Sequence, residues 1–67
     1  MAQALLLAID VNKVQDTFAR CGEQMSADSV EAWLREMGFR RTELGWIAEE
    51  VSLMALDRSE YRILKRL

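Results

Sequence analysis

The stretch Ser26–Gly38, SADSVEAWLREMG, carries its own start signal, its own stop signal and one apolar stripe. Ser26 or Asp28 can accept hydrogen bonds from the free N–H groups of a first helical turn, and Asp28 with Glu31 has capping-box spacing. Val30, Trp33, Leu34 and Met37 fall at i, i+3, i+4 and i+7, one face of an α-helix. Gly38 can take the left-handed conformation that ends a helix, with Phe39 as the apolar contact just beyond it. The rest of the chain must supply something for that stripe to pack against.

Sixty-seven residues make one small domain, 1–67, near the lower limit for a self-sufficient core. The chain is 51% hydrophobic and 30% charged with no proline. Those proportions predict helices and more apolar surface than one small lobe can hide, so a partner subunit or bound peptide is expected. The net charge of −2 argues against nucleic acid and for a basic partner. With no histidine and one cysteine, a zinc site lacks ligands and no Ser–His or Cys–His pair can exist. Catalysis and cofactors are therefore not expected. Cys21 excludes an internal disulfide, suits a reducing, cytoplasmic compartment and reads as a small buried hydrophobe. The apolar run Ala4–Ile9 is too short to span a bilayer and lacks the features of a signal peptide.

Taken in order, residues 2–21 read as a first helix. Ala4, Leu7, Val11, Val14, Phe18 and Cys21 recur in steps of three and four, a seam that Met25 extends. A strand over Ala4–Val11 is the competing reading; helix is preferred because the spacing continues beyond it. Gly22 marks the first break. After the Ser26–Gly38 helix, Arg40 and Arg41 form a basic connector, and Thr42 caps a third helix. Its stripe is Leu44, Ile47, Ala48, Val51 and Met54, with Glu43, Glu49 and Glu50 facing water. Asp57 with Glu60 repeats the capping-box spacing and opens a fourth helix, unless helices three and four are one bent helix. Tyr61, Ile63, Leu64 and Leu67 form its apolar side and Arg58, Arg62, Lys65 and Arg66 its polar side. The fold class expected is all-α, four short helices.

The halves also share a pattern of helix, short break and helix, with Met25 and Leu56 as apolar residues just before the second helix of each unit. This paired helix-loop-helix arrangement resembles the EF-hand superfamily, in particular a single calmodulin-like or myosin-light-chain-like lobe. Val30, Trp33, Leu34 and Met37 match the family's exiting-helix stripe. Val11, Val14 and Phe18, and again Leu44, Ala48 and Val51, match its entering helices. Met25 and Leu56 stand where the loops of the family pair as a small β-bridge, and Glu60 stands where its bidentate calcium ligand lies. The loops depart from the family: Arg20, Cys21 and Gly22 open the first, and Leu53, Met54 and Ala55 fill the second, too few oxygen ligands for calcium.

The resemblance implies a calcium-independent binding module that clasps an amphipathic, basic helix of a larger protein, such as a myosin heavy chain. Phe18, Met25, Trp33, Met37, Val51 and Met54 are the expected groove residues. Two other readings compete. In a helix-turn-helix DNA-binding regulator, Arg40, Arg41 and Thr42 would enter the recognition helix. In a helical homodimer, the first helix's seam would build a structural or inhibitory subunit.

Overall fold

The computed structural model describes residues 3–67 and shows a mixed α/β fold rather than an all-α one. A four-stranded antiparallel sheet is covered on one face by two α-helices. The elements run β1 (Ala4–Ile9), α1 (Val11–Arg20), α2 (Ala27–Glu36), β2 (Arg40–Thr42), β3 (Gly45–Glu49), a 3-10 segment Glu50–Ala55, a 3-10 turn Arg58–Glu60, and β4 (Tyr61–Arg66). The strand order is β2-β3-β1-β4, and each neighbouring pair is antiparallel.

The expected first helix is split between β1 and α1. Leu5 and Leu7 are fully buried while Ala4, Leu6 and Ala8 are half-buried, the period-two alternation of a strand. Asp10 then stops the strand and caps α1, its carboxylate accepting the Lys13 N–H at 3.2 Å. Ala2, where that helix was expected to begin, lies outside the described residues. The dimer seam ends with the helix, since Ala4 and Leu7 sit in the strand.

α2 forms where the sequence places it, with Ser26 as the cap: its hydroxyl accepts the Ser29 N–H at 3.1 Å. Both helices stop at a glycine in the same way. At the end of α2, Gly38 has φ +99°, its N–H donates to the Arg35 carbonyl, and the Phe39 N–H reaches back to Leu34. At the end of α1, Gly22 has φ +87°, with Gly22 to Ala19 and Glu23 to Phe18 as the corresponding pairs. Each is a Schellman motif, which satisfies the last free carbonyls of its helix.

The third and fourth helices are replaced by strands. Trp46 and Ala48 are buried while Gly45 and Ile47 are half-buried, again period two. Glu43 and Leu44 form a two-residue turn in which neither takes positive φ, and Gly45 at φ +144° starts the returning strand. The expected helical stripe is thereby scattered. Ala48 enters the core, Ile47 faces the other way, and Leu44, Val51 and Met54 are exposed. The Asp57–Glu60 pairing does form, but around a single 3-10 turn, after which the chain extends into β4.

The core is one layer between the sheet and the helices. Leu5 and Leu7 of β1, Val14 of α1, Val30 and Leu34 of α2, Phe39, Trp46 and Ala48 of β3, and Leu56 are its buried apolar residues. Phe18 and Trp33 seal the α1–α2 contact edge to face, ring centroids 5.0 Å apart. Glu60 is the one buried charged side chain among the described residues. Its carboxylate accepts the Asp57 N–H at 2.7 Å and the Thr17 hydroxyl at 2.7 Å, tying the start of β4 to α1.

Thr17 has one hydroxyl proton and a second acceptor, the Lys13 carbonyl at 3.1 Å. Facing a carboxylate, that proton must point to Glu60. Glu60→Ala leaves the Asp57 N–H without its partner and is expected to cost about 2 kcal/mol in a urea melt. Glu60→Gln should lose less than about half of that. Its amide oxygen keeps the Asp57 bond, and its NH2 can donate to Thr17, whose proton then turns to Lys13.

Candidate binding surface

With both helices on one side, the other side of the sheet carries none of the helical layer. Leu6 and Ile47 do not pack against the core cluster, unlike their neighbours Leu5, Leu7, Trp46 and Ala48. The register places four residues in a straight row across the strands on this uncovered face. Arg40 pairs with Ile47, Ile47 with Leu6, and Leu6 with Lys65. Two aliphatic side chains thus lie in the middle with a cation at each end. Arg62 opposite Ala8 adds a cation on the β4 side, and Glu49 opposite Ala4 is the face's carboxylate.

The row depends on an irregularity in β4. Leu6 pairs with Lys65 but Leu7 pairs with Ile63, so Leu64 is a bulged residue. Without the bulge, strand alternation would turn either Arg62 or Lys65 toward the helices. The four strands hold five of the nine Lys and Arg residues and one of the eleven Asp and Glu residues. The sheet is therefore the basic part of an acidic chain. Arg41 is not on this face: it lies over the Trp46 ring at 5.5 Å and bonds Glu31 of α2 at 3.2 Å.

At one end the face runs into a cleft of about 800 Å3. β3 begins at Gly45, so the β1–β3 ladder ends at Leu7 and Trp46 while β1 continues to Ile9 beside β4. The space left lies between the hairpin tip, the start of α1 and residues 59–62, and Ala8, Gly45, Thr42 and Arg62 join it to the open face. Lys13 and Arg62 are offset there by Asp10 and Glu43, Arg41 is paired with Glu31 of α2, and the Glu60 carboxylate is occupied by its own hydrogen bonds. The hydroxyls of Thr42, Ser59 and Tyr61 have no imidazole or thiolate in the lining to act with.

The six residues expected to line a groove sit elsewhere. Phe18, Met25 and Trp33 are half-buried against the core on the helical side. Met37 at the end of α2 and Val51 and Met54 in the 3-10 segment are exposed, Met54 to 86%. None of the six lies on the uncovered face or in the cleft lining.

Other expectations are corrected by position. Met25 and Leu56 form no β-bridge: the Met25 carbonyl accepts from the Gln15 side chain, and Leu56 is in the core. Cys21 is exposed rather than buried, because it follows the last turn of α1. Arg40, Arg41 and Thr42 form an edge strand, so no recognition helix follows the second helix. Among the described residues no group of three or more His, Cys, Asp or Glu could hold a metal ion, and no helix is long and apolar enough to cross a membrane. The sequence patterns hinted at Leu6 and Ile47 only as apolar residues; their shared row requires the strand register. No protein-family model, curated protein or solved structure matches the chain.

Proposed function

We propose that the chain is a non-catalytic, calcium-independent protein-binding module whose contact surface is the uncovered face of the sheet. The row Arg40–Ile47–Leu6–Lys65 carries this reading. A sheet in a layered domain buries its apolar faces against other elements, and here one face has no layer of its own. A partner's apolar surface removes Leu6 and Ile47 from water, while the flanking cations set orientation and association rate.

What the two expected loops have become supports calcium independence. The first is the Schellman stop around Gly22, and the second is the 3-10 segment through Leu53, Met54 and Ala55. Nucleic acid fits the face poorly. All five aromatic residues, Phe18, Trp33, Phe39, Trp46 and Tyr61, belong to the core or pack against it from the helical side. The face therefore offers bases no stacking platform.

A selection from a random-sequence peptide display library against the immobilised chain tests the proposal. Recovered binders are expected to lose at least about tenfold in affinity against Ile47→Glu, which sets a carboxylate in the middle of the row. They should bind Met54→Glu as well as the parent. Binders indifferent to Ile47→Glu would refute the assignment.

A further inference from the structure

We infer that the occupant of the uncovered face is a single amphipathic α-helix of another protein, with carboxylates flanking its apolar stripe. This rests on the sheet face being the contact surface and names the partner that face takes.

The width of the face sets the shape. Arg40 and Lys65 are three strand spacings apart along the row, roughly 14 Å at the usual 4.7–4.9 Å per strand. One α-helix with its side chains is about 10–12 Å across, so a single helix fits between the two cations and a pair does not. Along β1 the track reads Ala4, Leu6, Ala8, one large side chain between two small ones, and Gly45 beside it carries no side chain. A helix lying along β1 and β3 can therefore approach closely at the Ala8 and Gly45 end while its apolar stripe straddles Leu6 and Ile47, and at the other end, where Glu49 stands opposite Ala4, it meets the face's one carboxylate.

The charge sets the chemistry. Arg40 flanks the track on the β2 side, and Lys65 and Arg62 flank it on the β4 side. Arg40, Arg62 and Lys65 are exposed and enter no salt bridge among the described residues. A helix with Glu or Asp on both borders of its stripe meets a cation on each. A basic helix, the partner that the sequence suggested, meets like charge on both.

Other occupants fit less well. A second copy docked face to face would oppose this cation set with its own. An acidic strand added at the β4 edge would meet the Leu64 bulge, which interrupts the regular ladder that strand addition needs.

The test uses a synthetic helical peptide long enough to span Ala4–Ala8, with a Leu and Ala stripe bordered by glutamates. Its matched version has lysines at the borders. The glutamate peptide is expected to bind at least about tenfold more tightly than the lysine peptide. The double variant Arg40→Glu with Lys65→Glu, both at exposed positions, is expected to reverse that preference. Equal binding of the two peptides, or a preference that the double variant leaves unchanged, would overturn the inference. So would tighter binding of a proline-broken acidic peptide or a single-stranded oligoribonucleotide. If neither helix binds while library-selected binders still lose affinity to Ile47→Glu, the helical partner is wrong and the contact face stands. If those binders ignore Ile47→Glu, the contact face itself is wrong.

Discussion

Phe39→Ala is expected to abolish the cooperative unfolding transition. Phe39 is fully buried and is the largest of the side chains with essentially no exposed surface. Its removal should cost about 4 kcal/mol, the transfer of a phenyl group plus the cavity left behind. A domain below about seventy residues rarely has more than 3–5 kcal/mol in total, so the loss consumes most of its stability. Phe39 also follows Gly38 in the stop of α2, and its N–H donates to the Leu34 carbonyl at 2.9 Å. One residue thus fixes the end of a helix and the layer beneath it. Phe39→Leu keeps apolar volume at the site and should retain a two-state melt at reduced stability. A normal cooperative melt for Phe39→Ala, followed by circular dichroism, would contradict the packing described.

Gly45→Ala is the second large effect, and it acts through the backbone. A Cβ at this position would lie 2.6 Å from the Leu7 carbonyl oxygen, and the residue holds φ +144°, where side chains are rarely accommodated. The obstacle is main chain in the central strand and cannot rotate aside. The expected loss is about 3 kcal/mol from backbone strain and overpacking. The damage should also be directional. Forcing β3 away from β1 parts Ile47 from Leu6, so binding at the sheet face should fall together with stability. Gly22→Ala is the comparison: Gly22 also has positive φ, but a Cβ there meets nothing within 4 Å. It should cost only about 1 kcal/mol and leave binding intact.

Part of this architecture is legible in the sequence because it is written in local chemistry. Ser26, the Val30–Leu34 stripe and the two glycine stops depend on groups a few residues apart, and α2 falls where they place it. The strands are less legible. In Ala4–Ile9 both faces are apolar, since Leu5 and Leu7 meet the helices while Ala4, Leu6 and Ala8 form the open face. A continuous apolar run of that length suits a helix or a strand equally. Leu7 also falls four residues before Val11 and seven before Val14, so a residue of β1 continues a helical seam by coincidence. Tyr61–Arg66 misleads differently: its charges alternate poorly because Leu64 is a bulge, and a bulge shifts the period-two pattern. The hairpin between β2 and β3 has its trace in Gly45, but Thr42 and Glu43 read equally well as a helix start.

The candidate face was hidden for a related reason. Arg40, Ile47, Leu6 and Lys65 are spread along nearly the whole chain, and only antiparallel pairing in one register sets them side by side. Periodicity sorts residues within an element and carries nothing about rows across elements. The excess of apolar residues predicts a surface for a partner and points to the methionines for it. In the folded chain, Met54 and Val51 are scattered exposed residues on the 3-10 segment, while Leu6 and Ile47 share a flat face with cations at its borders.

The most direct measurement is methyl chemical-shift mapping of the chain by NMR during titration with a library-selected peptide. With the sheet face as the contact surface, the methyl groups of Leu6 and Ile47 are expected to move, with those of Ala4 and Ala8 beside them, while Leu44, Val51 and Met54 stay still. Shifts centred on Met25, Met37 and Met54, with Leu6 and Ile47 unmoved, would put the contact on the helical side and contradict that assignment.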